Sequence, residues 1–573
     1  MTETLKGAEY MKRAIAIGRQ SYETIISRKN FYVDKTLFIK DWWENKDSVT
    51  LITRPRRFGK TLNLDMMNCF FSTEYENRAD LFENLKIWEH EEYREMQGKY
   101  PVIFLSFAGI KDNNYDDVLG TFFDTFVELY KEHEKILIES TNLSERDKKD
   151  FEKIIDVLED GEDRTIFKSV LKKLSKFLSK HHKKNVIILL DEYDTPLQEA
   201  YVNGYWNEMS GLIRNLFNNT FKTNKYLSRA ILTGITRVSK ESMFSDLNNL
   251  ELCTMSSEKY QEYFGFTEDE VFESMNEYGY TNKDQVKHWY DGFTIGTEHD
   301  MYNPWSIINF LDKGKLEPYW SNSSSNNLAG KLIKEGSKEI KSDFQTLIEG
   351  GTITKKIDTE MVFSRLSSDE DAVWSLLVSS GYMKPISQNG KKTEITITNY
   401  EVRQMFEGLV EEWFGMERSE YNDFIRALLK GNVREMNKTM NELTLSMFSS
   451  FDVGNRPSER LRPERFYHGF VLGLLVELRD RYIVTSNRES GYGRYDVILE
   501  PRNPAQNDGI ILEFKVHDKE DGENTLEDTV KSALMQIEEM QYEQMLIEHN
   551  VPKEKIRKYG FAFEGKKVLI GAS

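Results

Sequence analysis

Residues 51–64 read LITRPRRFGKTLNL, and this stretch decides the fold class of the first part of the chain. An apolar strand candidate runs into a short loop, then into Gly59-Lys60-Thr61 and the start of a helix, as in a phosphate-binding loop. In such a loop the backbone N–H groups face the phosphates, the lysine reaches the β- and γ-phosphates, and the hydroxyl binds magnesium. The general pattern GxxxxGK[ST] has glycine where this sequence has Arg54. The triplet alone is therefore equally compatible with a turn that binds no nucleotide.

The loop before this triplet is rich in arginine. Pro55 restricts Arg54 to extended backbone. We therefore expect this loop to start in a conformation different from that of a loop whose first residue is glycine. Arg54, Arg56 and Arg57 add positive charge suited to phosphate. We expect Arg56 and Arg57 to bind nucleotide together with the glycine, lysine and threonine that follow.

Asp191 and Glu192 end another apolar strand candidate, NVIILLD at 185–191. An acidic pair in this position is typical of ATPases, in which the first carboxylate holds magnesium and the second orients and deprotonates the attacking water. A buried strand followed by a solvated acidic turn is the alternative explanation. We expect Thr61 and Asp191 to be magnesium ligands and Glu192 to be catalytic.

A further strand candidate, RAILTGIT at 229–236, ends in polar residues. ATPases of this type carry a residue that senses the γ-phosphate at the end of such a strand. We therefore expect Thr236 and Arg237 to lie in the nucleotide site. The order of phosphate loop, acidic pair and polar strand end favours a nucleotide site over an isolated turn.

The first part of the chain has the sequence pattern of an α/β domain. Short apolar strand candidates alternate with long amphipathic helical stretches, such as 115–134 and 148–181. This alternation is typical of a mostly parallel sheet covered by helices. The strand candidates are 48–53, 100–107, 185–191 and 229–236.

Several of these motifs together resemble the predicted AAA-ATPase-like family found in many bacteria. Members of that family carry the same glycine-poor loop, so Arg54 is normal for the type. The resemblance implies ATP as the ligand and leaves hydrolysis open. The motifs are FYVDKT (31–36), RPRRFGKT (54–61), YPVIFLSF (100–107), LLDEYDTP (189–196), FGFTEDEV (264–271), WYDGF (289–293) and YNPWS (302–306).

The C-terminal part carries a second constellation of charged residues. RYDVILE at 494–500 and GIILEFKV at 509–516 are adjacent strand candidates. Glu513 and Lys515 are two residues apart and so lie on one face of their strand, and Asp496 stands near the start of the other. Two carboxylates can bind hard divalent cations, and the lysine can position the attacking water or neutralise developing charge. A surface ion pair is the alternative, although charges flanked by IIL and V need partners or a metal.

The order of these residues resembles the PD-(D/E)XK nuclease superfamily. The resemblance implies that Glu477, Asp496, Glu513 and Lys515 form the active site, with Gln536 on the following helix as a helper. It implies Glu477, Asp496 and Glu513 as metal ligands. The proline that precedes the aspartate in the superfamily is replaced here by tyrosine, which does not affect the chemistry.

These patterns predict an α/β multidomain protein. Its parts are a P-loop AAA-ATPase-like domain with a parallel sheet, a helical lid, a connector and an α/β restriction-endonuclease-like domain. A helix and a hairpin with Asn389-Gly390 at its turn, near 371–400, favour a winged-helix segment in the connector. We expect the four parts at 1–245, 246–335, 336–455 and 456–573, respectively.

Composition limits the functional classes. The net charge of −18 argues against a protein that coats nucleic acid non-specifically, but it does not exclude a local groove. The two cysteines fit neither a disulfide framework nor a common zinc site. No apolar run is long enough for a signal peptide or a membrane span, which predicts a cytoplasmic protein that binds no membrane.

We therefore expect an ATPase and metal-dependent nuclease. ATP and Mg²⁺ are the expected cofactors, with Mn²⁺ as an alternative in the nuclease site. The expected partner is nucleic acid, first of all DNA. A second expected interaction is between copies of this chain, in a homo-oligomer. Two alternatives stay open: a nucleotide-switched binding or regulatory protein whose nuclease-like domain does not cleave, and a plain ATPase whose nuclease-like domain only binds partners.

Overall fold

The structure is a computed structural model that describes most of the chain. The described residues are 12–236, 248–320, 327–358 without 335 and 349, 369–413 without 391, 418–447, 471, 475, 478, 481–486, 489–490, 493–494, 497–518, 523–564 and 567–573. They form two compact units, Met1–Leu332 with Thr352–Val402 and Ile333–Gly351 with Arg403–Ser573. No helix in the described ranges combines the length and the apolar character that crossing a bilayer requires.

The first unit is built on a parallel five-stranded sheet in the order β2-β3-β4-β1-β5. Every residue of β1 and β3 is buried, because helices cover a parallel sheet on both faces. The four predicted strands are confirmed, and the edge strand β5 was not predicted. The strands are β1 (Val49–Thr53), β2 (Val102–Ser106), β3 (Val186–Asp191), β4 (Leu227–Gly234) and β5 (Leu250–Cys253).

Helices surround this sheet as the sequence pattern predicts. The stretch 148–181 contains two helices rather than one, because Gly161 ends the first in the left-handed conformation with φ of 69°. The helices are α1 (Tyr22–Ser27), α2 (Leu37–Asn45), α3 (Lys60–Phe71), α4 (Glu91–Arg94), α5 (Tyr115–Ile138), α6 (Glu145–Asp160), α7 (Val170–His182), α8 (Thr195–Asn203) and α9 (Trp206–Phe217).

The chain after β5 is mainly helical and includes two small sheets. β6 and β7 form a hairpin, and β8, β10 and β9 form a three-stranded antiparallel sheet. The predicted helix followed by a hairpin is confirmed as α15, β9 and β10; the winged-helix assignment stays a prediction. The elements are α10 (Glu268–Tyr278), α11 (Lys283–Tyr290), β6 (Phe293–Ile295), β7 (Glu298–Met301), α12 (Pro304–Lys313), α13 (Asn327–Lys334), α14 (Lys338–Ile348), β8 (Ile353–Lys355), α15 (Glu370–Ser379), β9 (Met383–Asn389), β10 (Lys392–Ile397) and α16 (Tyr400–Trp413).

The second unit contains a mixed five-stranded sheet in the order β11-β14-β15-β16-β17. Only β15 and β16 are parallel within it. The predicted pairing of 494–500 with 509–516 is confirmed by β14 and β15. The elements are α17 (Arg418–Lys430), α18 (Val433–Met447), β11 (Tyr482–Ser486), β12 (Glu489–Ser490), β13 (Gly493–Arg494), β14 (Val497–Pro501), β15 (Gly509–Val516), α19 (Leu526–Glu539), α20 (Glu543–Glu548), β16 (Ile556–Glu564) and β17 (Lys567–Ala572).

The two faces of this second sheet have separate cores. Leu512 and Phe514 pack on one face with residues of α17 and α18, whereas Ile511 packs on the other with Ile537 of α19. Side chains alternate along a strand, so Glu513 belongs to the face that α19 covers. Glu513, the acidic residue of the ExK motif, therefore faces α19, the helix that follows β15 in sequence.

Candidate nucleotide and nuclease sites

The phosphate loop joins the end of β1 to the start of α3. Arg57 and Gly59 both adopt the left-handed conformation, with φ of 63° and 79°. Glycine adopts this conformation without strain, whereas a residue with a side chain loses about 1–2 kcal/mol. The loop therefore keeps glycine directly before the helix and tolerates an exposed arginine two residues earlier.

Lys60 is folded back onto its own loop. Its ammonium donates to the carbonyl oxygens of Arg54 at 3.0 Å and Pro55 at 2.8 Å. Burial lowers the pKa of Lys60, and the neighbouring carboxylates of Glu192 and Asp191 oppose that shift. The loop thus holds a buried cation beside the acidic pair that the sequence predicts.

The two predicted magnesium ligands lie next to each other. The Thr61 hydroxyl donates to Asp191 Oδ2 at 2.6 Å, and the Thr233 hydroxyl donates to Oδ1 of the same carboxylate. Burial raises the pKa of Asp191, and these two hydrogen bonds oppose the shift. A hydroxyl and a carboxylate oxygen are the donor types that Mg²⁺ prefers, so this pair fits a magnesium site.

Glu192 begins the turn between β3 and α8 in the left-handed conformation, with φ of 49°. One of its carboxylate oxygens accepts the Thr195 hydroxyl at 3.1 Å. The side chain is partly exposed, unlike that of Asp191, which is 1% exposed. The acidic pair therefore combines a buried carboxylate with one that solvent reaches.

The other predicted nucleotide-binding residues have mixed placements. The Thr236 hydroxyl donates to Asp194 at 3.2 Å, and Arg237 lies outside the described residues. The guanidinium of Arg57 lies 4.5 Å from the centre of the Trp305 ring. Arg56 is partly buried in the loop, and its carbonyl oxygen accepts hydrogen bonds from Asn303 and Trp320.

Two residues far along the chain hold this carbonyl, and sequence reasoning did not find them. Asn303 Nδ2 and the indole N–H of Trp320 each donate to the Arg56 carbonyl at 3.1 Å. The backbone N–H of Trp320 donates to Glu401 at 2.6 Å, and the Ser306 hydroxyl donates to the same carboxylate at 2.8 Å. The only sequence signal was the motif YNPWS, which contains Asn303 and Ser306.

Glu401→Gln is expected to remove a pH dependence of stability. Burial raises the pKa of Glu401 from 4.5 to about 7. Because this value exceeds that of the unfolded chain, the contribution of Glu401 to stability is complete below about pH 4.5 and is lost as the pH rises through about 7. Glutamine keeps an acceptor for Trp320 and can donate to Ser306, so the variant should be more stable at about pH 8 by roughly 3 kcal/mol. Thermal unfolding at about pH 5 and about pH 8 measures the effect, and an equal difference at both pH values would contradict it.

Arg54 has a structural role that differs from the predicted one. Its side chain is fully buried, and Nη1 donates to the carbonyls of Thr53, Cys253 and Thr254 at 2.9, 3.1 and 2.8 Å. Burial lowers the pKa of Arg54 to about 10. The side chain thus joins the ends of β1 and β5, and the expectation that it offers free charge to phosphate is wrong.

Arg54→Gly, which restores the general loop pattern, is expected to destabilise the first unit. Three buried carbonyls lose their shared donor and a cavity forms, at a combined cost of about 3 kcal/mol or more. Arg57→Gly is the matched control, since glycine is favoured at its positive φ. Urea denaturation of both variants measures the effect, and equal midpoints for the two would contradict it.

In the second unit, the ExK strand and the following helix form a polar contact. Gln536 Nε2 of α19 donates to Glu513 Oε1. Glu513 is 2% exposed, and Lys515 is partly exposed on the same face of β15. Gly560, beside Glu513 on β16, leaves room for the helix, because a Cβ there would lie 2.9 Å from the Val530 carbonyl. The structure therefore brings together Glu513 and Gln536, as the sequence predicts.

The remaining predicted residues of this site, Glu477 and Asp496, lie outside the described residues. Within the described ranges no group of three or more His, Cys, Asp or Glu side chains is arranged to hold a metal ion. The donor chemistry at Glu513, a buried carboxylate beside a lysine, is suited to a hard divalent cation. The assignment of Glu477 and Asp496 as its companions stays a prediction.

Comparison with known proteins identifies a family for each of two parts of the chain. Over 329 residues the chain is 26% identical to an uncharacterized protein in the vnfD 5′ region of Azotobacter chroococcum mcd 1. The match covers 56% of this chain and 57% of that protein, so the chain spans little more than half of this relative. Residues 16–244 match the family described as Predicted AAA-ATPase, and residues 462–573 match the PD-(D/E)XK nuclease superfamily. The chain thus carries an AAA-ATPase-like domain and a domain of the PD-(D/E)XK nuclease superfamily.

Proposed function

We propose that the first unit binds ATP with Mg²⁺ and hydrolyses it. The hydrogen bond between Thr61 and Asp191 carries this proposal, since it joins the hydroxyl of the phosphate loop to the acidic strand end at 2.6 Å. In ATPases these two groups share one magnesium ion. In an ordinary turn, burial of a lysine and a carboxylate next to a threonine hydroxyl would be costly and without a function.

The residues of the loop have distinct tasks in this proposal. The N–H groups at the start of α3 bind the phosphates, and Lys60 exchanges its two carbonyl partners for phosphate oxygens. Thr61 and Asp191 would hold the magnesium ion, which neutralises phosphate charge when it is bound. Glu192, the partly exposed carboxylate, orients the attacking water and accepts its proton. Arg56 and Arg57 supply further positive charge at the loop.

We propose that the second unit cleaves phosphodiester bonds of nucleic acid, with DNA as the first substrate to test. The contact between Glu513 and Gln536, with Lys515 on the same face, carries this proposal. Glu513, Asp496 and Glu477 would hold a Mg²⁺ or Mn²⁺ ion, which makes bound water nucleophilic at neutral pH. Lys515 orients the water or neutralises charge on the phosphate, and Gln536 fixes the rotamer of Glu513.

ATP binding is proposed to control the nuclease, either through access of the substrate or through assembly of the protein. The presence of an AAA-ATPase-like domain and a nuclease-superfamily domain in one chain supports this view. The protein is proposed to act in the cytoplasm. Its net charge of −18 favours recognition through a restricted site over broad binding to nucleic acid.

The test is a cleavage assay with purified full-length protein. Linear and circular DNA and RNA are each incubated with and without Mg²⁺, and with and without ATP. Metal-dependent cleavage of at least one substrate supports the nuclease. Binding of nucleic acid without cleavage under every condition would support the nucleotide-switched regulatory alternative instead.

A further inference from the structure

Asp194 is a fully buried carboxylate close to the proposed ATP site, and no step assigned so far uses it. Its Oδ2 accepts the backbone N–H groups of Ile235 and Thr236, each at 3.0 Å. The same oxygen accepts the Thr236 hydroxyl at 3.2 Å and Gln198 Nε2 at 2.8 Å. One carboxylate oxygen thus gathers four donors, and two of them are backbone groups at the end of β4.

Tyr193 binds the carbonyl side of the same residue, Thr236. Its hydroxyl donates to the Thr236 carbonyl at 2.7 Å, and its own backbone N–H donates to the Thr233 carbonyl at 3.0 Å. Gly234 permits this close approach, because a Cβ there would lie 2.6 Å from Asp194 Oδ1. Tyr193, Asp194, Gly234 and Thr236 form what we call the β3–β4 latch.

The latch lies at the catalytic end of the sheet. Tyr193 and Asp194 directly follow the acidic pair, and the carboxylate of Asp194 acts electrostatically on Lys60 together with those of Glu192 and Asp191. The backbone N–H of Arg54 donates to the Gly234 carbonyl at 3.1 Å, which ties the phosphate loop to the same strand end. Arg56, Gln198, Thr236, Trp320 and Tyr382 line a pocket beside it.

A buried carboxylate is a costly way to cap a strand, because its charge must leave water. Burial raises the pKa of Asp194, and the N–H groups of Thr236 and Ile235 oppose the shift. A serine or asparagine could accept the same N–H groups at lower cost. What Asp194 contributes is therefore the position of one oxygen, which joins the turn after β3 to the residues that follow β4.

We propose that Asp194 is a positioning residue for ATP hydrolysis. It fixes the end of β4 against the turn that carries Glu192, so that the strand end and the attacking water keep their places beside the terminal phosphate. In this step the water oxygen bonds to the γ-phosphorus as the bond from phosphorus to the bridging oxygen breaks. ADP leaves with that electron pair, and Glu192 accepts the proton of the water. The inference rests on the proposed ATPase activity and assigns a residue that this proposal does not contain.

The test compares Asp194→Ala, Asp194→Asn and Tyr193→Phe with the full-length wild type. A loss of alignment costs about 100-fold in rate, so Asp194→Ala should lower kcat by about that factor. Its KM for ATP and its affinity for a non-hydrolysable ATP analogue should change by less than about threefold, because the phosphate loop is intact. Asp194→Asn keeps an oxygen for the N–H groups and should recover most of kcat. Tyr193→Phe removes a single hydroxyl and should lower kcat about fivefold.

The outcomes separate the possible roles. A merely structural Asp194 would lower the melting temperature, the analogue affinity and kcat together, and that pattern would overturn the inference. An unchanged kcat in Asp194→Ala would also overturn it while leaving the ATPase in place. If Asp194→Ala does not fold, the fivefold loss in Tyr193→Phe decides, and its absence contradicts the latch. A wild type that binds the analogue but never exceeds Glu192→Gln in hydrolysis would overturn the ATPase proposal and this one with it.

Discussion

Lys515→Ala is expected to reduce metal-dependent cleavage of nucleic acid by about 100- to 1,000-fold while the protein stays folded. The lysine lies on the face of β15 that also carries Glu513, and it is partly exposed. Its loss therefore removes the cation that we propose to act on the reacting phosphate, without opening a cavity in the core. Initial rates with saturating Mg²⁺ measure the effect. Asp496→Ala is expected to abolish cleavage as well, through the loss of a metal ligand.

A control for this experiment lies on the neighbouring helix. Lys531→Ala changes an exposed lysine of α19, and we expect it to cleave at the wild-type rate. Melting temperatures within about 2 °C of wild type show that each variant is folded. If folded Lys515→Ala and Asp496→Ala cleave as fast as Lys531→Ala, the nuclease assignment is wrong.

A second substitution separates metal binding from the role of the lysine. Glu513→Gln keeps the size of the side chain but removes the charge, so the apparent affinity for Mg²⁺ should fall along with the rate. Lys515→Ala should lower the rate at every Mg²⁺ concentration without a comparable shift in the Mg²⁺ dependence. A titration of Mg²⁺ with both variants distinguishes these two effects. Identical Mg²⁺ curves for the two variants would contradict the separate roles.

The sheet of the first unit could be predicted because its strands are buried on both faces. NVIILLD has no polar residue between Val186 and Asp191, and such runs are diagnostic when long helical stretches separate them. The strand β5, Leu250–Cys253, was missed because LELC is four residues long and contains a charge. The break after Asp160 was also missed, since the amphipathic pattern continues across Gly161.

The candidate sites could be predicted only where the sequence spacing fixes the geometry. Glu513 and Lys515 share a face because they are two residues apart on a strand, and Thr61 meets Asp191 because parallel strands end at one edge of the sheet. The hydrogen bonds of Asp194 and Trp320 depend on side-chain rotamers and on contacts between segments that are distant in sequence. No local pattern encodes those contacts. The hydrogen bonds of Arg54 to the Cys253 and Thr254 carbonyls could not be predicted either, because β5 itself was not predicted.

Lys60→Ala is expected to weaken ATP binding by about 100-fold, which corresponds to roughly 3 kcal/mol. The ammonium is buried at the end of the loop, where a charge-assisted hydrogen bond to phosphate is little screened by water. Because Lys60 also donates to the Arg54 and Pro55 carbonyls, its removal changes the stability of the free protein. The quantity to compare is therefore the rise in melting temperature caused by ATP and Mg²⁺, not the melting temperature itself.

The dependence of that rise on Mg²⁺ gives a sharper test. Thr61→Val keeps the shape of the side chain but removes the hydroxyl that bonds to Asp191, whereas Thr61→Ser keeps the hydroxyl. We expect Thr61→Val to lose the part of the ATP-induced shift that needs Mg²⁺, and Thr61→Ser to retain it. An exposed lysine on α5 supplies the control, since Lys135→Ala should respond to ATP like the wild type. If Lys60→Ala and Thr61→Val keep the full shift, the loop does not bind the phosphates, and the arginine-rich turn has another role.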